Sequence, residues 1–272
     1  MPGQAGFFEW DRARFAAMRR FAEQSDTERE YYCSMLDGRQ KGRIFADDPD
    51  CPSAALFWHY AGFGFVAGEP DADFLEQVTA MIRQEHPCFV QDTALSRRFI
   101  LQQDDPSAGH LLGNAPGIVR SERLCFALRD RGAPKPALPA GYRAQAADAG
   151  VLMRLRGDVT PLFSWSSYDA FLQSGTACCV MRGDEPAAWA FSAAIGAGRM
   201  DIGVETAPPY RGKGLGRAAA CMMAETACRM GLAPVWGCDV TNEASARTAQ
   251  SAGFVLYGRH AKYKKGNQPR AD

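Results

Sequence analysis

The stretch Ile202-Gly-Val-Glu-Thr-Ala-Pro-Pro-Tyr-Arg-Gly-Lys-Gly-Leu-Gly-Arg217 decides how the rest of the chain is read. An alternating apolar segment runs into a glycine-rich basic turn, and the turn opens a run of small residues closing at Gly231. This order predicts strand, loop and helix. The first N–H groups of a helix have no intrahelical acceptor, and the helix dipole adds partial positive charge at that end. With Arg211 and Lys213 alongside, the backbone of Gly212 to Arg217 is a cradle suited to a diphosphate. Gly212, Gly214 and Gly216 bring no Cβ to hold a phosphate away from the backbone.

The cradle alone does not name its ligand. A Walker loop ends in Gly-Lys-Ser/Thr, whereas Gly214 follows Lys213 and no Ser or Thr follows Gly216. A dinucleotide fingerprint reads G-x-G-x-x-G, and these glycines give G-x-G-x-G. Asp239 stands at a suggestive distance for a ribose acid, but too little chain follows it for the further βα units of a Rossmann domain. A glycine-rich turn without a ligand is the plain alternative.

Arg211-x-x-Gly214-x-Gly216 resembles motif A of the GNAT acetyltransferases, the [Gln/Arg]-x-x-Gly-x-[Gly/Ala] loop that binds acetyl-CoA. The resemblance continues into Ala233-Pro-Val-Trp-Gly-Cys-Asp239 as the next strand, and into the helix opening at Asn242-Glu-Ala-Ser245 and ending before Gly253-Phe254. The Pro-Val-Trp-x-Cys strand and Ala249 resemble one GNAT subgroup, which has an extra N-terminal region and includes a zwittermicin-resistance acetyltransferase. The resemblance implies an α+β (mixed α/β) fold. Its C-terminal part would be a GNAT domain with a central mixed, mostly antiparallel sheet flanked by helices.

Composition excludes several classes. Lys plus Arg and Asp plus Glu both number 31, so no global field draws nucleic acid or an anionic membrane. The short basic runs Arg129–Lys135 and Arg259–Lys265 read as solvated surface. The longest apolar stretch, Ala54–Ala67, is interrupted by His59 and too short to span a bilayer. The N-terminus has no basic n-region followed by an apolar h-region, so a cytoplasmic protein is expected. The nine cysteines form no C-x-x-C pair and read as small core residues. The four histidines do not cluster, so no metal is expected.

Arg131-Gly-Ala-Pro-Lys-Pro-Ala-Leu-Pro-Ala-Gly141 cannot sustain a helix or a central strand and reads as a linker. It separates an N-terminal α/β domain (1–130) from the GNAT domain (142–265), with a flexible tail at 266–272. In the second half, strands are expected at 142–146, 176–182, 187–195, 200–206 and 254–260, with a short last strand near Tyr263. Asp148 caps a helix to about Arg156, and Ser166 or Ser167 caps one turning Tyr168, Phe171 and Leu172 inward. The motif helix should bury Leu215, Ala219, Met222, Thr226 and Met230. In the first half, a helix holds Phe15–Phe21, strands cover 42–46 and 54–67, and Asp71 caps a helix to Gln84. A short strand at 88–91, a helix over 93–102 and a strand at 118–128 follow. This pattern is compatible with a degenerate second GNAT-like unit. Its Gly62-Phe-Gly-Phe-Val-Ala-Gly68 segment lacks the basic residues and the spacing, so a role without CoA is expected, structural or covering the substrate.

The resemblance also implies site roles. The edge of the strand at Val204 to Thr206 would pair with the pantetheine amides, and Arg211, Gly212, Lys213, Gly214, Leu215, Gly216 and Arg217 would hold the diphosphate. Asn242 and Ser245 would contact the pantetheine arm. Asp201, Gly203 and Glu205 alternate onto one strand face, where a carboxylate can take an amine proton. Glu205 is the favoured base and Asp201 the fallback. Ala249 occupies the usual tyrosine position of the general acid, with Tyr257 and Ser245 as substitutes. Trp165 and Tyr168 are candidate walls of the acceptor pocket. The expected activity is acetyl transfer from acetyl-CoA to the amine of a small molecule, in a monomer or homodimer. The competing reading is a non-catalytic acyl-CoA sensor on the same scaffold.

Overall fold

The computed structural model describes residues 6–26, 28–84, 99–103, 105–129 and 138–266. The chain divides into two compact units: unit 1 is 1–123 with 259–272, and unit 2 is 124–258. The strands are β1 Phe8–Glu9, β2 Gly42–Ala46, β3 Ala54–His59, β4 Phe63–Gly68, β5 Ile100–Gln102, β6 Ile118–Leu128, β7 Arg143–Ala146, β8 Ala177–Arg182, β9 Glu185–Gly196, β10 Arg199–Thr206, β11 Ala233–Asp239 and β12 Phe254–Lys265. The helices are α1 Arg19–Ala22, α2 Arg29–Leu36, α3 Ala72–Gln84, α4 Pro106–Asn114, α5 Ala149–Leu152, α6 Tyr168–Ser174, α7 Leu215–Arg229 and α8 Glu243–Ser251. Each unit is a mixed, mostly antiparallel sheet flanked by helices.

The same order of elements occurs twice. Helix α2, three antiparallel strands β2–β4, helix α3, strand β5, helix α4 and strand β6 make the first series. Helix α6, strands β8–β10, α7, β11, α8 and β12 make the second. In each series the helical crossover joins two parallel strands, β4 with β5 and β10 with β11. The second series parallels the first in element order, as expected for two α/β units of one kind, although not every element of the first was anticipated.

In unit 1, period-two alternation sends side chains to two covered faces. Leu56, Trp58 and Val66 pack with Phe74, Val78 and Ile82 of α3, whereas Phe57, Phe65 and Ala67 pack with Met18, Tyr32 and Met35. In unit 2, α7 lies on Val180, Ala188, Ala190, Met200 and Ile202 through Leu215, Ala219, Met223 and Ala227. Fully burying Leu215 contributes about 2 kcal/mol.

Several expectations are corrected. Met230 is 51% exposed and Thr226 only half-buried, because close helix–sheet packing turns the small residues of α7 inward. Leu172 is exposed. The helix capped by Asp148 stops at Leu152. Strand β12 is continuous where two strands were expected, and within its basic run Lys262 is 3% exposed, not surface. Ile100–Gln102 is strand rather than the end of a helix. The expected strand at 88–91 and residues 93–98 fall outside the described residues, as do 131–137 of the linker and 267–272 of the tail. The compact units divide at 123/124 and 258/259, within strands β6 and β12. Helices α2 and α4 were not anticipated.

Candidate active site

The site is built where β10 and β11 part. Their parallel pairing covers Arg199–Ala233, Met200–Pro234 and Asp201–Val235, and ends there, although β10 continues to Thr206 and β11 to Asp239. Beyond Asp201, β10 pairs with β9 on its other side, through Thr206–Ala188. The β11-facing edge of Ile202–Thr206, including Val204 and Thr206, therefore carries backbone groups with no strand beside them.

The edge points toward the N-terminus of α7. Gly212 and Gly214 have φ of 77° and 73°, a left-handed conformation that favours glycine. Gly214 is the N-cap and has no side chain to occupy the orphan N–H groups. The Ala218 N–H reaches the Gly214 carbonyl at 3.1 Å, so the N–H groups of Leu215, Gly216 and Arg217 precede the first helical bond. A Cβ on Gly216 would lie 2.7 Å from Thr206 Oγ1, so this glycine lets the first turn approach the strand end. Arg211 Nε donates to the Thr206 carbonyl at 3.2 Å. Lys213 Nζ donates to Tyr142 Oη and the Pro209 carbonyl, each at 3.4 Å, and lies 5.4 Å from the Tyr210 ring centre. Tyr210 donates its phenol to Glu185, which holds the phenol above its usual pKa. The sequence reading did not single out Tyr210; its place between Pro209 and Arg211 was the available signal.

Met200 and Ile202 join the core under α7, leaving Asp201, Gly203 and Glu205 on the opposite face, as the alternation predicts. Glu205 Oε2 accepts from the Val159 N–H at 2.7 Å. A Cβ on Gly157 would come within 2.3 Å of the same oxygen, so Gly157 makes room for the carboxylate. Trp189, opposite Glu205 on β9, donates Nε1 to the Val159 carbonyl at 2.8 Å and fixes that loop. The carboxylate is half-buried and held against the loop between α5 and α6. Asp201 is 5% exposed.

The other candidates are distributed around this centre. Asn242 caps α8 by accepting from the Ser245 N–H at 3.0 Å, and Ser245 Oγ accepts from Trp236 Nε1 at 3.0 Å. Ala249 is fully buried, and Tyr257 is 50% exposed on β12. Trp165 has no exposed surface; it donates to the Ser192 carbonyl at 2.8 Å and packs on Phe171. The structure thus puts Trp165 in the core. Tyr168 begins α6 and is half-buried. Ser164 Oγ donates to the Ala193 carbonyl at 2.6 Å, where the β9–β10 register shifts. This loop is therefore locked to a β-bulge. Cys178 and Cys179 are pushed up to about 12 by burial and are inert core thiols.

A splayed parallel pair facing a glycine-capped helix is the architecture of a GNAT-type acyltransferase. A family model described as GNAT acetyltransferase matches residues 20–263. The chain belongs to that family and is an acyltransferase enzyme. It is similar to the uncharacterized N-acetyltransferase YdfB of Bacillus subtilis (strain 168), with 23% identity over 239 residues covering 86% of this chain and 89% of that protein. Among solved structures it resembles a GCN5-related N-acetyltransferase-like protein from Streptococcus suis 89/1591, with TM-score 0.69, 20% identity and coverage of 93% and 99%. A tandem GNAT protein from the clavulanic acid biosynthesis pathway matches with TM-score 0.59 and 13% identity, covering 95% of this chain and 96% of that one. Among the described residues, no helix is long and apolar enough to cross a membrane.

Proposed function

We propose that the protein transfers an acetyl group from acetyl-CoA to the amine of a small molecule, with unit 2 carrying the reaction. The observation that carries this reading is the open edge of β10 beyond Asp201, directed at the bare N-terminus of α7. Bound acetyl-CoA supplies the activated thioester carbonyl. The N–H groups of Gly212 to Arg217 would hold its diphosphate, with Arg211 and Lys213 adding charge, and Val204 to Thr206 would align the pantetheine amides. Asn242 caps the helix beside this cleft, and Ser245 braces Trp236, so both support its wall. Glu205 takes the amine proton, oriented by the Val159 N–H; Asp201 is the second carboxylate on that face. Ala249 offers no proton, so the thiolate leaves without a side-chain acid at that position, its conjugate thiol being acidic enough to do so. Tyr168, half-buried at the start of α6, is the residue we assign to the acceptor wall. This reading includes the two-part subgroup suggested by the sequence, with unit 1 not binding CoA.

Two features of unit 1 support that division. Gln103 Nε2 donates to the Val66 carbonyl at 3.0 Å and Gln24 Oε1 accepts from the Gly68 N–H at 3.0 Å, so glutamines occupy the edge of β4. Asp71 accepts from the Phe74 N–H at 2.7 Å and sets a carboxylate at the start of α3, where a diphosphate would be repelled. The test is a screen of small amines with acetyl-CoA, following free CoA release. Turnover with at least one amine is expected; thioester stability across a broad panel would remove the enzymatic reading of this cleft.

A further inference from the structure

The loop that holds Glu205 also walls an open depression in unit 2. The depression measures about 520 Å³ and is lined by Arg154, Arg156, Arg182, Asp184, Glu185 and Pro186. Arg154 and Arg156 follow α5, and the other four surround the turn from β8 to β9. Backbone carbonyls hold the two loop arginines. Arg154 Nε donates to the Gly150 carbonyl at 3.1 Å, and Arg156 Nη1 donates to those of Met153 and Leu155 at 2.8 and 2.9 Å. Arg182 lies over the Tyr142 ring, 5.8 Å from its centre. A guanidinium has five N–H donors, so each arginine keeps donors beyond these contacts. The two acids are engaged elsewhere. Asp184 lies 3.6 Å from Arg143, and Glu185 accepts the Tyr210 phenol. Among the described residues, no ion pair joins a carboxylate to Arg154, Arg156 or Arg182.

The chain itself ties this depression to the reaction centre. Arg156 precedes Gly157, where a Cβ would come within 2.3 Å of Glu205 Oε2, and the Val159 N–H donates to that oxygen at 2.7 Å. Consecutive Cα atoms are about 3.8 Å apart, so the Arg156 Cα lies within about 8 Å of the carboxylate. Ala188 of β9 is opposite Thr206, so the turn before Glu185 projects past the end of β10. Helix α7 packs on the other face of β10, the one carrying Met200 and Ile202.

We propose that this depression binds an anionic group carried by the acceptor. The inference rests on the acyl transfer proposed for unit 2 and names its substrate class. The acceptor is an amine bearing a carboxylate or phosphate on the order of 10 Å from the reacting nitrogen. Guanidinium forks match both anions through paired, charge-assisted hydrogen bonds. With the anion at the arginines, the amine stands at Glu205, on the face covered by the same loop. The volume falls within the usual range for small-molecule sites. A phosphate of CoA is the other available anion. Arg154 and Arg156 sit on the base's loop, across the sheet from α7, and this favours the acceptor.

The experiment compares linear amines with and without the anion, with acetyl-CoA as donor and free CoA release as the readout. The pairs are 8-aminooctanoate with octylamine, and 6-aminohexyl phosphate with 6-aminohexanol. At least one anionic probe should exceed its neutral partner in kcat/KM by at least about tenfold, mainly through KM. That preference should shrink as salt is added. In the double variant Arg154→Gln with Arg156→Gln it should fall to within about twofold, with acetyl-CoA affinity unchanged in calorimetry. Equal turnover of charged and neutral partners by the wild type overturns the proposal, as does a preference that survives in the double variant. A loss of acetyl-CoA affinity in the folded variant also overturns it, by assigning the anion to CoA. Should the variant not fold, the wild-type comparison and its salt dependence decide. Absence of turnover with every amine would count against acyl transfer itself. Titration of the same probes into the full chain then tests the depression alone, and equal binding of charged and neutral partners overturns it.

Discussion

Strands β4 and β10 occupy equivalent places in two series of elements, and they end differently. Each is paired in parallel with one neighbour over three residues and then runs on with no strand on that side, while its antiparallel pairing on the other side continues. At β4 the free edge is taken by Gln103 and Gln24, and the following helix starts under the Asp71 carboxylate. At β10 the edge stays open, and the following helix starts at Gly214 with no side chain over its N–H groups. The fold supplies a parting strand pair twice, and a few side chains decide which of the two edges stays open. Edge groups must be satisfied by something. In unit 1 the chain provides it; in unit 2 we propose that the pantetheine arm does.

The largest effect expected from this contrast is on turnover. Glu205→Gln should lower kcat/KM by roughly 100-fold with acetyl-CoA affinity nearly intact, and the deficit should shrink at high pH, where the acceptor amine is already deprotonated. Steady-state kinetics across pH checks this; wild-type turnover at pH 7 would shift the role to Asp201. The second effect belongs to unit 1. His59 is fully buried, its Nδ1 accepting from the Ala61 N–H at 2.9 Å, and burial pulls its pKa down to about 3. In the unfolded chain the imidazole protonates near pH 6.5, so between these values the unfolded state binds more protons. The stability is present above pH 6.5 and lost as pH falls toward 3. From pH 7.5 to 5 this one group accounts for about 2 kcal/mol, and His59→Gln should flatten that part of the profile in urea titrations. A variant with an unchanged slope would assign the acid sensitivity elsewhere.

Smaller changes sharpen the comparison. Gln103→Ala removes the bond to the Val66 carbonyl and should cost about 1 kcal/mol of stability. It should not create a second CoA site, because Asp71 still caps α3; a second site in the variant would show that Gln103 alone closes the cleft. We also propose that 131–141 is the linker the proline density suggests, even though the compact units divide inside strands. Limited proteolysis should cut there first, and a first cut within β6 or β12 would contradict it.

Unit 2 was legible in the sequence because its signals are local. The glycines of 212–216, the Asn242 cap and the Gly231 stop each act within a few residues, and each appears where expected. Glu205 was legible as a face of a strand, but its partner was not, since Val159 lies 46 residues away. Trp165 misled because an aromatic near an acceptor site and an aromatic in the core look alike in one dimension; its bond to the Ser192 carbonyl is a tertiary fact. Met230 misled through size, since the sheet selects small residues on α7. Unit 1 was harder to read because its polar groups face inward. Gln102 and Lys262 carry no motif, and only the strand register brings them together on one face.

The most direct measurement is a calorimetric titration of acetyl-CoA into the full chain and into Gly214→Asp, which puts a carboxylate on the bare helix end while the left-handed backbone is already present. The account predicts one site per chain in the wild type and at least about a tenfold loss of affinity, roughly 1.4 kcal/mol, in the folded variant. Two sites per wild-type chain, or a folded Gly214→Asp protein that binds as tightly as the wild type, would contradict it.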